Sequence, residues 1–227
     1  MSNKVPNENY DVSEYYGAVV DDCESMYCRN DQVRNAELNA MAAGMCKSLR
    51  GLHVLEVACG TGFWTGIVAR EAAHIVALDI SPRALAVARS RALSPGVVEF
   101  GVHDAYDLAS VQGTYDAGLA NFWLSHVPRT RLDGFLGGLH GRLGTGSVVF
   151  MADNVYVPGV GGTLLVKRGV EDSFKLRRMP GGGMVEVVEN YYDEGSLRSM
   201  LEPCADDLHI DVGKCYWWVR YRVKSIK

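Results

Sequence analysis

A glycine-containing turn, Cys59-Gly60-Thr61-Gly62, separates an apolar segment from one whose apolar residues recur at helical spacing. Glycines in such a turn let the backbone approach a ligand without a Cβ in the way. A strand, a glycine turn and a helix N-terminus together form a binding place for a nucleoside at the open end of a parallel sheet. The turn therefore predicts a nucleoside-bearing ligand.

Spacing within the turn distinguishes between the candidate ligands. Dinucleotide-binding turns follow G-x-G-x-x-G, whose third glycine lets the helix approach the pyrophosphate. Here Thr65 occupies that third position, Trp64 precedes it, and Gly66 follows one residue late. Glu56, just before the turn, disfavours a phosphate and suits a ligand with a cationic amine or hydroxyls. The pattern thus argues against a diphosphate.

A second carboxylate, Asp79, ends the next apolar run, Ile75–Leu78. At that place a carboxylate can accept hydrogen bonds from both ribose hydroxyls. A nucleoside with a cationic group and no diphosphate describes S-adenosylmethionine, which is the cofactor that we expect.

Polar and aromatic residues follow the later strands, at the edge of the sheet where ligands bind. Phe122 and Trp123 could form an aromatic wall that favours a cation. His126 could remove a proton from an acceptor near neutral pH with little tuning of its pKa. The alternative, a histidine that only bonds the backbone of its turn, stays open. Asp153 and Asn154 are expected to face the same cleft.

The C-terminal third contains a hairpin signal. Ser173–Met179 and Met184–Tyr191 flank Pro180-Gly181-Gly182-Gly183. Strand alternation places Arg178 on one face with two apolar residues. Such an arginine either reaches water or meets an anion in the pocket.

Composition excludes several classes of function. The net charge of −4 gives no basic surface for nucleic acid. No apolar run approaches the ~20 residues that span a bilayer, and no signal peptide is evident, so we expect a cytoplasmic protein without membrane contact. The six cysteines form no C-x-x-C pair, and no metal-binding constellation is evident.

The successive segments L-E-V-A-C-G-T-G-F-W-T, A-L-D-I-S and H-D-A-Y-D-L resemble the motifs of the class I S-adenosylmethionine-dependent methyltransferases. The resemblance covers roughly Leu49 to Asp153 clearly and the C-terminal third more weakly. F-W-L-S-H-V-P adds a similarity to small bacterial natural-product methyltransferases of the dehydrophos type.

The resemblance implies an α/β fold with a Rossmann-like, seven-stranded, mostly parallel sheet and an antiparallel C-terminal hairpin. It implies a single methyltransferase domain over residues 1–227. A helical lid at 10–48 and a hairpin cap at 157–191 should cover the pocket.

The resemblance also implies roles for individual residues. Glu56 and the turn glycines should hold the methionine part, Asp79 the ribose, and Asp104 with Ala105 the adenine. A lid tyrosine, Tyr15 or Tyr16, should cover the methionine end, unless it only packs the helix on the sheet. The full set of cofactor-binding candidates is Tyr16, Glu56, Ala58, Gly60, Gly62, Trp64, Asp79, Ile80, Asp104, Ala105 and Asn121.

For the acceptor side, dehydrophos-type enzymes have a similar arginine pair before a comparable turn, which suggests that Arg177 or Arg178 binds an anion. They have a histidine where this chain has Phe122, so the role of that histidine does not transfer. His126 is the candidate base. The acceptor-side candidates are Tyr10, Phe122, Trp123, Asp153, Tyr156, Arg177 and Arg178.

The expected reaction is in-line transfer of a methyl group from S-adenosylmethionine to an oxygen or nitrogen of a small molecule, most simply a secondary metabolite. Two alternatives remain: a nicotinamide-dependent oxidoreductase, and a regulator that binds S-adenosylmethionine without catalysis. The oligomeric state does not follow from the sequence.

Overall fold

The computed structural model describes residues 15–20, 31–180 and 182–225. Residues 15–18 are helical, within the range of the predicted helical lid at 10–48. Tyr10, an acceptor-side candidate, lies outside the described residues.

The rest of the described chain forms five α-helices and ten strands. The helices are α1 (Gln32–Leu49), α2 (Phe63–Val68), α3 (Pro82–Arg89), α4 (Arg129–Leu143) and α5 (Glu194–Leu201). The strands are β1 (His53–Val57), β2 (His74–Asp79), β3 (Val98–Val102), β4 (Ala117–Asn121), β5 (Val148–Asn154), β6 (Thr163–Val166), β7 (Ser173–Arg178), β8 (Met184–Val188), β9 (Ala205–Val212) and β10 (Tyr216–Val223). Short 3-10 helices span Leu108–Ser110 and Leu124–His126.

Local sequence explains where several helices begin. Ser81 accepts a hydrogen bond from the backbone N–H of Ala84, and Pro82 holds the first helical position of α3. Asp31 caps α1 in the same way, through the N–H of Arg34. Asp193 and Ser196 form a reciprocal capping box at α5.

The main sheet has seven strands in the order β3-β2-β1-β4-β5-β10-β9. The first five are parallel to one another, and β10 pairs antiparallel with both β5 and β9. Helices cover both faces: α1, α2 and α3 pack with one buried cluster, and α4 and α5 with the other. The predicted α/β fold with its antiparallel C-terminal hairpin is confirmed.

A second sheet, antiparallel and three-stranded, has the order β6-β7-β8. The hairpin of β7 and β8 was predicted from its glycine turn, whereas β6 was not. A four-residue strand after a glycine-rich segment has too little pattern of its own, and it forms because β7 offers an edge to pair with.

Glu37 joins α1 to the turn between β9 and β10. Its carboxylate accepts hydrogen bonds from the backbone N–H groups of Lys214, Cys215 and Tyr216, at 2.8 to 3.1 Å. A Cβ at Gly213 would lie 2.5 Å from this carboxylate, so a side chain there would displace the carboxylate from its backbone partners. The position of α1 is therefore tied to the start of β10.

No helix among the described residues is long and apolar enough to cross a membrane.

Candidate functional site

A cavity of about 220 Å³ opens at the carboxyl ends of the parallel strands. This is the edge of the sheet at which α/β proteins bind ligands. The cofactor-binding candidates that line it are Tyr16, Glu56, Ala58, Gly60, Trp64, Asp79, Ile80, Asp104, Ala105 and Asn121. Among the acceptor-side candidates, Phe122 and Trp123 line it, together with His126.

The glycine turn has two differently placed glycines. Gly60, with φ +56°, lines the cavity, and no heavy atom lies within 4 Å of where its Cβ would be. Gly62, with φ +73°, does not line the cavity, and its Cβ would lie 3.0 Å from the Cβ of Ala88. Gly62 therefore permits close packing of the turn against α3, whereas Gly60 leaves space for a ligand.

Asp79, at the end of β2, is held by the turn that it faces. Its Oδ2 accepts the backbone N–H of Gly60 and its Oδ1 that of Ser81, both at 2.8 Å. Burial raises the pKa of Asp79, and these two hydrogen bonds oppose the rise. Because each carboxylate oxygen can accept more than one hydrogen bond, both stay available to ligand hydroxyls.

Glu56, on β1, is buried beside the turn. Its Oε2 has no hydrogen-bond partner among the described residues. Burial raises the pKa of Glu56 to about 8, so the carboxyl is mostly protonated at neutral pH. A buried oxygen of this kind at a cavity wall is suited to a cationic or hydrogen-bonding ligand group.

The end of β4 provides an amide and an aromatic wall. Asn121 donates from Nδ2 to the sulfur of Met45 at 3.1 Å, while its Oδ1 lacks a partner within the described part of the chain. Phe122 has φ +55° and stacks on Trp64, with 5.7 Å between ring centroids. A strained backbone at Phe122 thus holds its ring against the helix that follows the glycine turn.

His126 contacts both the helical lid and the hairpin cap. Its Nδ1 lies 2.7 Å from the carbonyl oxygen of Val188, at the end of β8. Its Nε2 lies 2.9 Å from the hydroxyl of Tyr16, in the N-terminal helical segment. Because a carbonyl can only accept, Nδ1 has the hydrogen, and Nε2 accepts from Tyr16.

Asp104 and its neighbours form a tight turn after β3. The carboxylate accepts the backbone N–H of Tyr106 at 2.9 Å, and Asp104 itself is exposed at the cavity. His103, also in the lining, bonds the carbonyl of Asp107 and the hydroxyl of Ser110.

Asp153 does not face the cleft, which corrects the predicted orientation. It is fully buried and accepts backbone N–H groups of Ser125 and Asn154, both at 2.8 Å. Alternation along β5 turns the next residue, Asn154, toward the cavity instead. Asp153 therefore fixes the 3-10 turn that presents His126.

Of the two candidate arginines, Arg177 is the less exposed one. Its guanidinium pairs with Glu189 and lies 6.0 Å from the ring centroid of Tyr15. Arg178, the last residue of β7, is exposed, because alternation directs it to the open face. Tyr156 is 40% exposed and contacts Tyr191, and neither arginine nor Tyr156 lines the cavity.

Lys175, on the same face of β7 as Arg177, was missed by sequence reasoning. It is buried, and its Nζ donates to the carbonyls of Val160 and Gly162 at 3.1 and 3.0 Å. The ammonium also lies 5.1 Å from the ring centroid of Tyr156. The signal was available in the alternation of Lys175 and Arg177, opposite the apolar residues of the strand.

Other residues of the cavity wall were also missed. Arg34 comes from α1, and Tyr106 lies in the segment H-D-A-Y-D-L without a predicted role. No spacing predicted either residue at the site, whereas Asn154 was expected to face the cleft and lines the cavity.

Residues 54–146 match a protein family described as "Methyltransferase domain". A solved complex of DhpI with SAH has a TM-score of 0.74 to this chain, at 22% identity and with all of both chains covered. The chain has the class I methyltransferase fold. The resemblance inferred from its motifs is confirmed, and the matched family region contains the glycine turn, Asp79 and His126.

The chain is also similar to one curated protein and to a further solved structure. The ubiquinone biosynthesis O-methyltransferase of Xanthomonas axonopodis pv. citri (strain 306) is 40% identical over 80 residues, 34% of either chain. The chain thus matches about a third of the length of such curated relatives. N-methyltransferase NodS of Bradyrhizobium japonicum WM9, solved with S-adenosyl-L-homocysteine, has a TM-score of 0.64 at 13% identity, covering 95% of this chain and 100% of NodS.

Proposed function

We propose that the protein transfers a methyl group from S-adenosylmethionine to an oxygen or nitrogen of a small-molecule acceptor. One observation supports this most directly. A glycine turn that is open to a cavity lies between the buried carboxyl of Glu56 and the backbone-held carboxylate of Asp79. This donor set suits a nucleoside with a cationic amino-acid end.

The residues present fit that cofactor. Asp79 would bind the ribose hydroxyls, since its two oxygens are oriented by backbone N–H groups. Ile80, Asp104 and Ala105 would receive the adenine, and Glu56 with Gly60 the methionine part. When bound, the cofactor supplies a methyl group on a positively charged sulfur.

The chain's own contribution to the transfer is alignment and exclusion of water. Correct positioning of two reactants can supply roughly 7–11 kcal/mol of the barrier. Trp64 and Phe122 form a stacked aromatic pair at the cavity wall, and Trp123 adds a third ring. Such a wall favours a cation and disfavours water.

His126 would act as the general base for a hydroxyl acceptor. Its Nδ1 hydrogen is committed to Val188, so Nε2 is the atom that can accept a proton. Tyr16 donates to that nitrogen and would be displaced or bridged by the acceptor hydroxyl. A nitrogen acceptor with a free lone pair would not need this base.

The acceptor side favours an anionic small molecule. Lys175 is buried and Arg177 is largely covered on the same face of β7, beside the cavity but outside its lining, and Glu189 is the carboxylate paired with this arginine. Tyr156 and Tyr191 lie beside the lysine. Two cations against one carboxylate leave a positive charge that a carboxylate or phosphonate of a secondary metabolite would balance.

A nicotinamide-dependent oxidoreductase is disfavoured by crowding at the turn. Thr65, where a dinucleotide fold needs its third glycine, is completely buried, and Trp64 before it is also buried. A diphosphate would have to displace these side chains.

The test combines calorimetry with a transfer assay. We expect binding of S-adenosylhomocysteine but not of NAD. Incubation with methyl-labelled cofactor and fractionated small anionic metabolites should yield a labelled product, identified by mass spectrometry. Binding of NAD alone would overturn the proposal, and cofactor binding without transfer to any fraction would favour a non-catalytic regulator.

A further inference from the structure

The phenol of Tyr16 and the imidazole of His126 form a contacting pair in the wall of the cavity. The hydroxyl oxygen of Tyr16 lies 2.9 Å from Nε2 of His126, and both residues line the cavity. The centroids of the two rings are 4.9 Å apart, with an angle of 60° between their planes. A hydroxyl within hydrogen-bond reach of a base is the arrangement that activates an oxygen nucleophile.

The direction of this hydrogen bond is fixed from the other side of the imidazole. Nδ1 donates to the carbonyl oxygen of Val188 at 2.7 Å, so Nε2 accepts the hydrogen of Tyr16. Transfer of that hydrogen to Nε2 would leave a negative charge on the phenol oxygen and a positive charge on the imidazole. The oxygen would then be a stronger nucleophile.

Arg177 is placed to stabilise negative charge on Tyr16. Its guanidinium carbon lies 6.0 Å from the ring centroid of Tyr15, and the rings of Tyr15 and Tyr16 are 5.1 Å apart. Burial lowers the pKa of Arg177, but negative charge on Glu189 and on Tyr16 outweighs this effect, so the pKa lies above its ordinary value. Because attraction between opposite charges is mutual, Arg177 favours the phenolate form of Tyr16.

We propose that Tyr16 is itself a methyl acceptor, so that the protein methylates its own lid when S-adenosylmethionine is bound and no other acceptor is present. A bond forms between the phenol oxygen and the methyl carbon as the bond from that carbon to sulfur breaks. The bonding electron pair stays on sulfur, which gives S-adenosylhomocysteine, and the phenol hydrogen passes to Nε2 of His126. The inference rests on the proposed function, because the methyl group comes from that cofactor.

The modification limits itself. A methyl group on the oxygen of Tyr16 replaces the hydrogen that is donated to Nε2 of His126. The reaction therefore stops after a single methyl group per chain, and the methylated lid loses this hydrogen bond to the imidazole. An acceptor whose hydroxyl takes the place of Tyr16 at Nε2 would compete with the modification.

The main experiment incubates the protein with methyl-labelled S-adenosylmethionine and no added acceptor, then maps the label by proteolysis and mass spectrometry. We expect the label on the peptide that contains Tyr16. His126→Gln should slow its incorporation at least ~100-fold, the size expected for loss of a general base, and Tyr16→Phe should abolish it. Tyr115→Phe is the matched control, because that hydroxyl bonds the carbonyl of Gln112 and Tyr115 lies outside the cavity lining.

Calorimetry with S-adenosylhomocysteine separates the possible failures. Its unchanged affinity in His126→Gln shows that this variant is folded. If the wild type binds S-adenosylhomocysteine but Tyr16 stays unlabelled, self-methylation is overturned and the proposed function stands. If the wild type does not bind it, the proposed function is overturned as well. Labelling of His126→Gln at the wild-type rate would overturn the part assigned to the imidazole.

A second measurement needs no cofactor. Methanesulfonyl fluoride modifies a phenol whose hydrogen is taken by a neighbouring base, because the oxygen then displaces fluoride from sulfur. Mass spectrometry should find Tyr16 modified faster than Tyr115, and His126→Gln should remove the difference. Equal rates at the two tyrosines in the wild type would overturn the activation of Tyr16 by His126.

Discussion

His126 donates from Nδ1 to the carbonyl of Val188 over 2.7 Å, and this contact fixes which nitrogen faces Tyr16. The imidazole joins the N-terminal helical segment to the three-stranded sheet. The side chain of His126 is thus placed to act on an acceptor and also to join the helical lid to the hairpin cap. The two roles predict different outcomes of substitution.

If His126 is the base, His126→Gln should lower kcat for a hydroxyl acceptor at least ~100-fold while cofactor affinity is kept. Tyr16→Phe should have a smaller effect, because it removes a donor to Nε2 and not the base. His209→Gln, at an exposed position on β9, is the control. A folded His126→Gln protein with unchanged kcat would leave the histidine a structural role only.

Arg177 and Arg178 form a matched pair for the acceptor side. Arg177→Met leaves Glu189 buried without its partner, which should cost about 3–5 kcal/mol of the free energy of unfolding. Arg178→Met, at an exposed position, should stay within about 0.5 kcal/mol. Urea unfolding measures both.

Activity separates the two arginines further. Once an acceptor is identified, its KM should rise with Arg177→Lys, which keeps the charge, and not with Arg178→Lys. Equal KM values for the two variants would contradict a role of Arg177 in binding the acceptor.

Glu56 predicts a proton release on cofactor binding. In the free protein its pKa is about 8, so it is mostly protonated at pH 7. An ammonium group beside it favours the carboxylate, and about one proton per site should leave. Calorimetry in two buffers with different ionisation enthalpies measures this number. Glu56→Gln should abolish the dependence of the binding enthalpy on the buffer, whereas Glu71→Gln should preserve it. If the wild type shows no such dependence, the pairing of Glu56 with the ammonium group of the cofactor is refuted.

Substitution of the two turn glycines by alanine should affect different properties, ligand affinity at Gly60 and stability at Gly62. Gly60→Ala adds only the strain of a positive φ, about 1–2 kcal/mol, and should mainly weaken S-adenosylhomocysteine. Gly62→Ala adds a clash with Ala88, for a further ~1–3 kcal/mol of lost stability. Urea unfolding of both variants tests this order. A double-mutant cycle with Ala88→Gly isolates the clash, and additive effects of the two substitutions would argue against it.

His140 makes stability depend on pH. It is buried against the hydroxyl of Tyr221 at 2.7 Å, and burial lowers its pKa to about 4. The unfolded chain protonates this residue near 6.5, so the neutral folded form loses stability as pH falls from 6.5 to 4. The contribution is roughly 3 kcal/mol over that window. His140→Gln should flatten the pH dependence of urea unfolding, and an unchanged slope would contradict it.

Spacing predicted the parts of the site that are local in sequence. The glycine turn, Asp79 and the segment after β4 each follow a strand directly, so the carboxyl ends of parallel strands bring them together. The apolar segment before the glycine turn predicted β1, which is buried on both faces, as is β4. These signals lie within a few residues of the side chains that they position.

Orientation across the sheet was harder to predict. Asp153 and Asn154 are adjacent polar residues at a strand end, and composition alone does not decide which one faces the cavity. The same holds for Arg177 and Arg178, because the covered face of β7 depends on what packs against it. Arg34 lies far from any motif and reaches the wall only because Glu37 fastens its helix.

The three hydrogen bonds from Glu37 to residues 214–216 have a consequence for how the molecule opens. The chain's early helix and its closing hairpin cannot part without exposing this carboxylate's backbone partners. Amide hydrogen exchange at 214–216 should therefore slow and quicken together with that of α1, as a single cooperative unit. A ligand that stabilises α1 would therefore protect a segment almost two hundred residues further along the polypeptide.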